Sequence, residues 1–130
     1  MKLKNSDIVR IFQGMPGIRN KQLPIKIGFA INKNLSAMQS TAESYDAERT
    51  KILDKYGEKD ESGKIKTDGD EYVLSDKQAY ADEMKELLDI ENEIRIHTVG
   101  MDEIEKCDSE KFDALTPDEL SLLEFMISEE

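Results

Sequence analysis

Residues 55 to 74, KYGEKDESGKIKTDGDEYVL, crowd carboxylates and glycines into one short run, a composition that could bind calcium. An EF-hand loop needs oxygen ligands at alternate positions, glycine at the sixth, an apolar residue at the eighth and a bidentate Glu at the twelfth. Counted from Glu58, the order Glu58, Asp60, Ser62, Gly63, Ile65 imitates the first eight positions, but the twelfth is Gly69, which has no side chain to ligate with. Counted from Asp60, Glu71 takes the twelfth position, while Lys64 falls on a ligand position and Ile65 on the glycine position. Neither register serves a cation. A β-hairpin fits the same residues with fewer conflicts: Asp60 to Gly63 as a turn, then Lys64–Lys66 and Glu71–Leu74 as short strands with the turn dipeptide Asp68-Gly69 between them.

The remaining reactive side chains are isolated. His97 is the one histidine and lies in a β-like run, where a structural role is expected. Cys107 is the one cysteine, so no internal disulfide can form, and its neighbours Lys106 and Asp108 offset each other instead of activating a thiolate. No phosphate-binding glycine loop, dinucleotide fingerprint, HExxH or paired-cysteine motif occurs, so neither an enzyme nor a cofactor or metal is expected. Arg49 is singled out because it interrupts an apolar stripe. Two readings stand: its stem lies along the seam with the guanidinium in solvent, or it forms a register-fixing ion pair with Glu83.

The elements that must position these residues are mainly helical. Ser6–Phe12 reads as a first helix capped by Asn5 or Ser6 and stopped by Gly14, Pro16 and Gly17. From Pro24, the residues Gly28, Ile31, Leu35, Met38, Ala42, Tyr45, Ile52 and Tyr56 recur at alternating steps of three and four once Arg49 is included, which is the seam of one long packed helix. Its entry is ambiguous, because Ile25, Ile27 and Phe29 also alternate as a strand would. Ser75 and Gln78 form a capping box that opens a partner helix. Its stripe is Tyr80, Met84, Leu87, Leu88 and Ile94, with Glu91 at a seam position. Ile94–Val99 reads as a strand ended by Gly100. A charged connector follows, and Thr116-Pro117-Asp118-Glu119 then opens a short final helix apolar around most of its circumference.

The expected fold is mainly α (α+β): a long antiparallel helical hairpin with a β-hairpin at its tip and a small base of short helices plus one strand. One domain covers 1–130, with the base at 1–36 and 94–130 and the arm at 37–93, tipped by 58–74. The long helix, about 34 residues or roughly 50 Å, outruns its partner and leaves its start uncovered. No apolar run approaches the ~20 residues a bilayer requires, so no membrane partner and a cytoplasmic location in a host cell are expected.

Charge is divided unevenly. Residues 1 to 36 carry seven basic residues against Asp7 alone, a net +6, while the other 11 basic and 28 acidic residues give −17, for a total of −11. Lys21, Lys26 and Lys33 in the basic part are the expected partner-binding residues. A net-acidic chain is repelled by nucleic acid, so direct binding to it is not expected.

The stretches MKLKNSDIV, LPIKIGFAINKN, YGEKDESGKI and LTPDELSLLEFMI together resemble a small family of phage and prophage proteins of Gram-positive bacteria with no assigned activity. The resemblance implies a phage origin and an intracellular host setting, and it carries over no functional residues. With the layout above, the expected function is that of a phage accessory protein binding a host or phage protein non-covalently, as a virion assembly factor or an inhibitor. The alternative is an acidic mimic of DNA that occupies a nucleic-acid-binding protein. A cation-binding or hydrolytic protein ranks third. Self-association through the uncovered start of the long helix is a further expectation.

Overall fold

The computed structural model describes residues 1–128, and these are mainly helical. In chain order the elements are β1 (Lys2–Lys4), α1 (Asn5–Arg19), α2 (Ile25–Tyr56), β2 (Thr67–Asp68), β3 (Glu71–Tyr72) and α3 (Lys77–Asp89). They continue as β4 (Glu91–Glu93), β5 (Val99–Gly100), α4 (Met101–Glu105), α5 (Pro117–Leu123) and β6 (Ile127–Ser128), with single 3-10 turns after α4 and α5. β1 pairs antiparallel with β4 and β2 with β3, while β5 runs parallel to β6. Glu129 and Glu130, the end of the expected base, lie outside the described residues. No described helix is long and apolar enough to cross a membrane.

Helix α1 is longer than its sequence suggests. Ile8, Ile11, Met15 and Ile18 recur at steps of three and four, and all are buried. Burying Met15 and Ile18 gains roughly 1.5–3 kcal/mol each, which offsets the ~3 kcal/mol of an interior proline at Pro16. Gly14 serves packing instead of termination: a Cβ there would lie 2.6 Å from Leu122 Cδ2 of α5. The expected Asn5 or Ser6 cap is absent. Lys4 occupies the cap position, its N–H donating to Asp7 Oδ2 at 2.9 Å. Asn5 is buried, donating from Nδ2 to Leu87 O at 2.8 Å and accepting from Asn92 Nδ2 at 2.9 Å.

Helix α2 is one uninterrupted run of 32 residues. Its first half buries Ile27, Ala30, Ile31, Asn34, Leu35 and Met38, which pack in one core with α1, α5 and Ile94, Val99 and Ile104. Beyond Met38 only Leu53 is buried, and Ala42, Tyr45, Arg49, Ile52 and Tyr56 are half-buried. α3 packs against α2. Gly28, expected in the seam, is half-exposed, and a Cβ there would meet nothing within 4 Å. Gly57 follows α2 in extended backbone (φ −72°, ψ 128°), at a position where a Cβ would lie 2.7 Å from Leu53 O, the acceptor of the Gly57 N–H.

Three expected elements are corrected. The capping residue of α3 is Asp76, whose Oδ1 accepts the Ala79 N–H at 3.0 Å; Ser75 instead donates its N–H to Tyr56 O. The strand expected at Ile94–Val99 is not formed: residues 94 to 98 join no ladder, only Val99 does, with Gly100 against β6, and the strand that pairs with β1 is instead the preceding Glu91–Glu93. Glu91, placed on the helical seam by counting, therefore lies in β4. The final helix stops at Leu123, and Ile127 leaves it for β6.

Candidate partner-binding surface

Ile25 and Phe29 stand one turn apart on α2, and both face solvent, with Ile25 88% and Phe29 55% exposed. Residues i and i+4 share a helix face and i+2 lies opposite, so Ile27 between them is completely buried. The alternation that left this entry ambiguous thus belongs to a helix with apolar side chains on both faces. Reading it at helical spacing is the signal that would have found the outward pair.

Phe29 is held in place. The His97 ring meets it edge-on, with centroids 5.4 Å apart and planes at 81°. Lys33 Nζ lies 5.6 Å from the ring centroid, within cation–π range. His97 is itself fixed through its backbone: Asn34 Oδ1 accepts its N–H at 2.7 Å, and Asn34 Nδ2 donates to its carbonyl at 2.9 Å. Two shallow depressions meet at His97. One runs past Ile25, Lys26 and Phe29, and the other past Lys33, Ser36 and Arg95.

Of the three lysines expected to meet a partner, two belong to this surface. Lys26 is exposed, and its Nζ stands 3.6 Å from Glu103 Oε1. That carboxyl is held below the usual range chiefly by Lys106, whose Nζ donates to it at 2.9 Å. Lys33 is exposed over Phe29. Lys21 lines neither depression. Its Nζ lies 2.7 Å from both Glu119 Oε1 and Ala114 O, tying the segment before α5 to the approach to α2. This contact, followed by the Thr116 N–H, lowers the pKa of Glu119. The sequence reading missed Arg95, an exposed third cation beside Lys33.

The expected Arg49–Glu83 pair is not formed. Arg49 bonds Asp46, one turn back on its own helix, at 3.3 Å, and Glu83 bonds Lys55 at 3.0 Å. Lys55 lies six residues beyond Arg49, about 9 Å along a helix, so α3 meets α2 about a turn and a half nearer the C-terminal end of α2 than counting implies. Tyr56 is the leading influence lowering the Glu83 pKa, ahead of Lys55. The Tyr56 hydroxyl nevertheless makes no hydrogen bond of full geometry to Glu83 Oε2, which is shielded from water.

In the segment between α2 and β2, Asp60 turns its carboxylate onto its own loop. Oδ1 accepts from Ser62 N–H at 2.9 Å, Ser62 Oγ at 2.6 Å and Lys64 N–H at 3.1 Å, and these bonds, led by the Ser62 hydroxyl, lower its pKa. Gly63 at φ +86° and Gly69 at φ +66° supply the left-handed positions that two turns require. The second turn is Gly69-Asp70, one residue beyond the expected dipeptide, because Asp68 pairs with Glu71. Among the described residues no three His, Cys, Asp or Glu side chains gather as ligands of one metal ion. Cys107 is buried, and that burial, with Asp108 second, pushes its thiol pKa up. A scan against protein-family models and searches of curated proteins and solved structures found no match for this chain.

Proposed function

We propose that this chain is a small phage-type accessory protein that acts by binding another protein non-covalently, as a virion assembly factor or an inhibitor of a host protein. In this reading α2 and α3 form a helical hairpin arm with the β2–β3 turn at its tip, and the elements around the first half of α2 form the base. The observation that carries the proposal is the outward pair Ile25 and Phe29, at 88% and 55% exposure. Fully burying such side chains on a partner is worth roughly 1.5–3 kcal/mol each, and central aromatic anchors are where binding energy concentrates.

Mimicry of DNA is less well supported. On the arm, Asp46 is paired with Arg49, Glu48 with Lys51 and Glu83 with Lys55, which interrupts any row of bare carboxylates.

The test compares affinity-tagged wild-type chain with the double variant Ile25→Asp, Phe29→Asp in lysate from infected cells, at physiological salt. Both substitutions lie on the solvent face, so the variant is expected to keep its circular dichroism and melting transition. The wild type is expected to retain a protein that the variant loses. Identical recoveries from the two, or bait alone from the wild type, would overturn the proposal.

A further inference from the structure

The chemistry around Phe29 specifies what kind of segment can cover it. Lys26, Lys33 and Arg95 are all exposed: Lys26 lines the depression that holds Ile25 and Phe29, Lys33 lies over the Phe29 ring, and Arg95 lines the adjoining depression with Lys33 and His97. Among the described residues neither Lys33 nor Arg95 has a carboxylate within salt-bridge distance, and Lys26 makes only the 3.6 Å approach to Glu103. Glu103 is already engaged at 2.9 Å by Lys106. Among the described residues, Asp102 is the one other carboxylate lining the depression. A cationic frame around an exposed aromatic thus sits on a chain whose formal charge is −11.

A second copy of the chain is a poor occupant. A two-fold axis that stacked Ile25 and Phe29 on their counterparts would also bring Lys26, Lys33 and Arg95 toward theirs, opposing like charges as the interface dries. Shifting the axis toward the middle of α2 relieves the repulsion, but it sets Ile25 and Phe29 against the polar stretch of Thr50, Lys51 and Asp54. Apolar contact and charge matching cannot both be met. Single-stranded nucleic acid would find an aromatic face and three cations, yet it must also approach a strongly acidic chain.

From this geometry we infer that the Ile25–Phe29 surface receives an acidic amphipathic helix of a different protein, with apolar residues one turn apart seated on Ile25 and Phe29 and carboxylates reaching Lys26, Lys33 and Arg95. The inference rests on the binding function proposed above and names its partner class. The outward face of α2 from Ile25 to Ala37 extends about 18 Å, enough for three turns of such a helix, and the recognition is that of an amphipathic helix laid in a groove.

The test uses two fluorescein-labelled 18-residue helical peptides with the same Leu and Phe positions, one with Glu and one with Lys at every polar position, and a fluorescein-labelled 12-nucleotide oligothymidine. Fluorescence anisotropy is followed on titration with the full chain. Net charge alone would favour the Lys peptide, so the two explanations differ in sign. The Glu peptide is expected to bind at least tenfold more tightly than the Lys peptide, and to lose at least tenfold on Lys33→Glu with Arg95→Glu. Both substitutions are on exposed positions, and circular dichroism checks that the fold persists. Equal or reversed peptide preference, no binding of either peptide, unchanged affinity in the double variant, or preference for the oligonucleotide overturns the inference. The binding function itself fails separately, when lysate capture does not depend on Ile25 and Phe29.

Discussion

The Asn34 side chain closes two hydrogen bonds on the His97 backbone, at 2.7 and 2.9 Å, from a position only 1% exposed. The segment it holds belongs to no ladder, so one buried amide does what a neighbouring strand would otherwise do. It also sets the His97 ring against Phe29. Asn34→Ala is expected to lower stability by about 1–3 kcal/mol, the range for stranding buried hydrogen-bond partners. Asn32→Ala, on the exposed side of α2, should stay within about 0.5 kcal/mol of wild type. Urea unfolding measures both, and labelling of the buried Cys107 thiol gives an independent readout. Equal urea midpoints for Asn34→Ala and wild type would refute the clamp.

Two glycines predict opposite signs for the same substitution. Gly28 closes the first turn of α2 with open space where a Cβ would go, so Gly28→Ala should gain up to about 1 kcal/mol of helix propensity. At Gly57 a Cβ would stand 2.7 Å from the Leu53 carbonyl oxygen and 2.9 Å from Ile65 Cγ2. The first of these neighbours is backbone and cannot rotate away, so Gly57→Ala should cost about 1–3 kcal/mol. Thermal melts of the two variants check the pair, and a shift of the same sign in both would contradict the packing described for the end of α2.

What sequence made legible here is what periodicity encodes. Three-and-four spacing found α2, and Thr116 with Pro117 and Glu119 found the start of α5. Local rules misled where tertiary burial outweighed them, as at Pro16, which lies inside α1 because Met15 and Ile18 are buried beyond it. The β-branched run from Ile94 looked like one strand because a strand and an extended segment outside any ladder share the same alternation. Only the third dimension supplies its partners, Met1 for the Ile94 backbone and Asn34 for that of His97. For the candidate surface, charge alone singled out Lys21, Lys26 and Lys33 alike, and it could not show that Lys21 bonds Glu119, 98 positions away in sequence. Arg95 lies 62 positions from Lys33, so no local pattern joins them.

Acid should weaken the fold, with Glu119 among the causes. Its carboxyl is held below its ordinary value of 4.5 by Lys21, then by the Thr116 N–H. A depressed carboxyl contributes stability that is present above the unfolded value and lost as pH falls through the folded one. Glu103, Glu83 and Asp60 are shifted in the same direction. The wild-type urea midpoint is therefore expected to hold near neutrality and fall below about pH 4.5. Glu119→Gln should start lower at pH 7 and fall less steeply, so that the two curves approach each other in acid. Parallel curves would mean that the Lys21–Glu119 contact contributes nothing to folding.

The pairing of α3 with α2 is tested by asking which cation Glu83 senses. With Lys55 Nζ 3.0 Å from Glu83 Oε1 and Arg49 turned to Asp46, a double-mutant cycle on Lys55→Ala and Glu83→Ala should show coupling. The matching cycle on Arg49→Ala and Glu83→Ala should show none, because residues without shared partners act additively. Salt sharpens the distinction, since an exposed pair is screened: the Lys55–Glu83 coupling should shrink between 50 mM and 1 M NaCl, while the Arg49 cycle stays flat. The opposite result, with coupling through Arg49 and none through Lys55, would slide α3 about a turn and a half along α2. It would then place Glu83 where apolar spacing alone had put it.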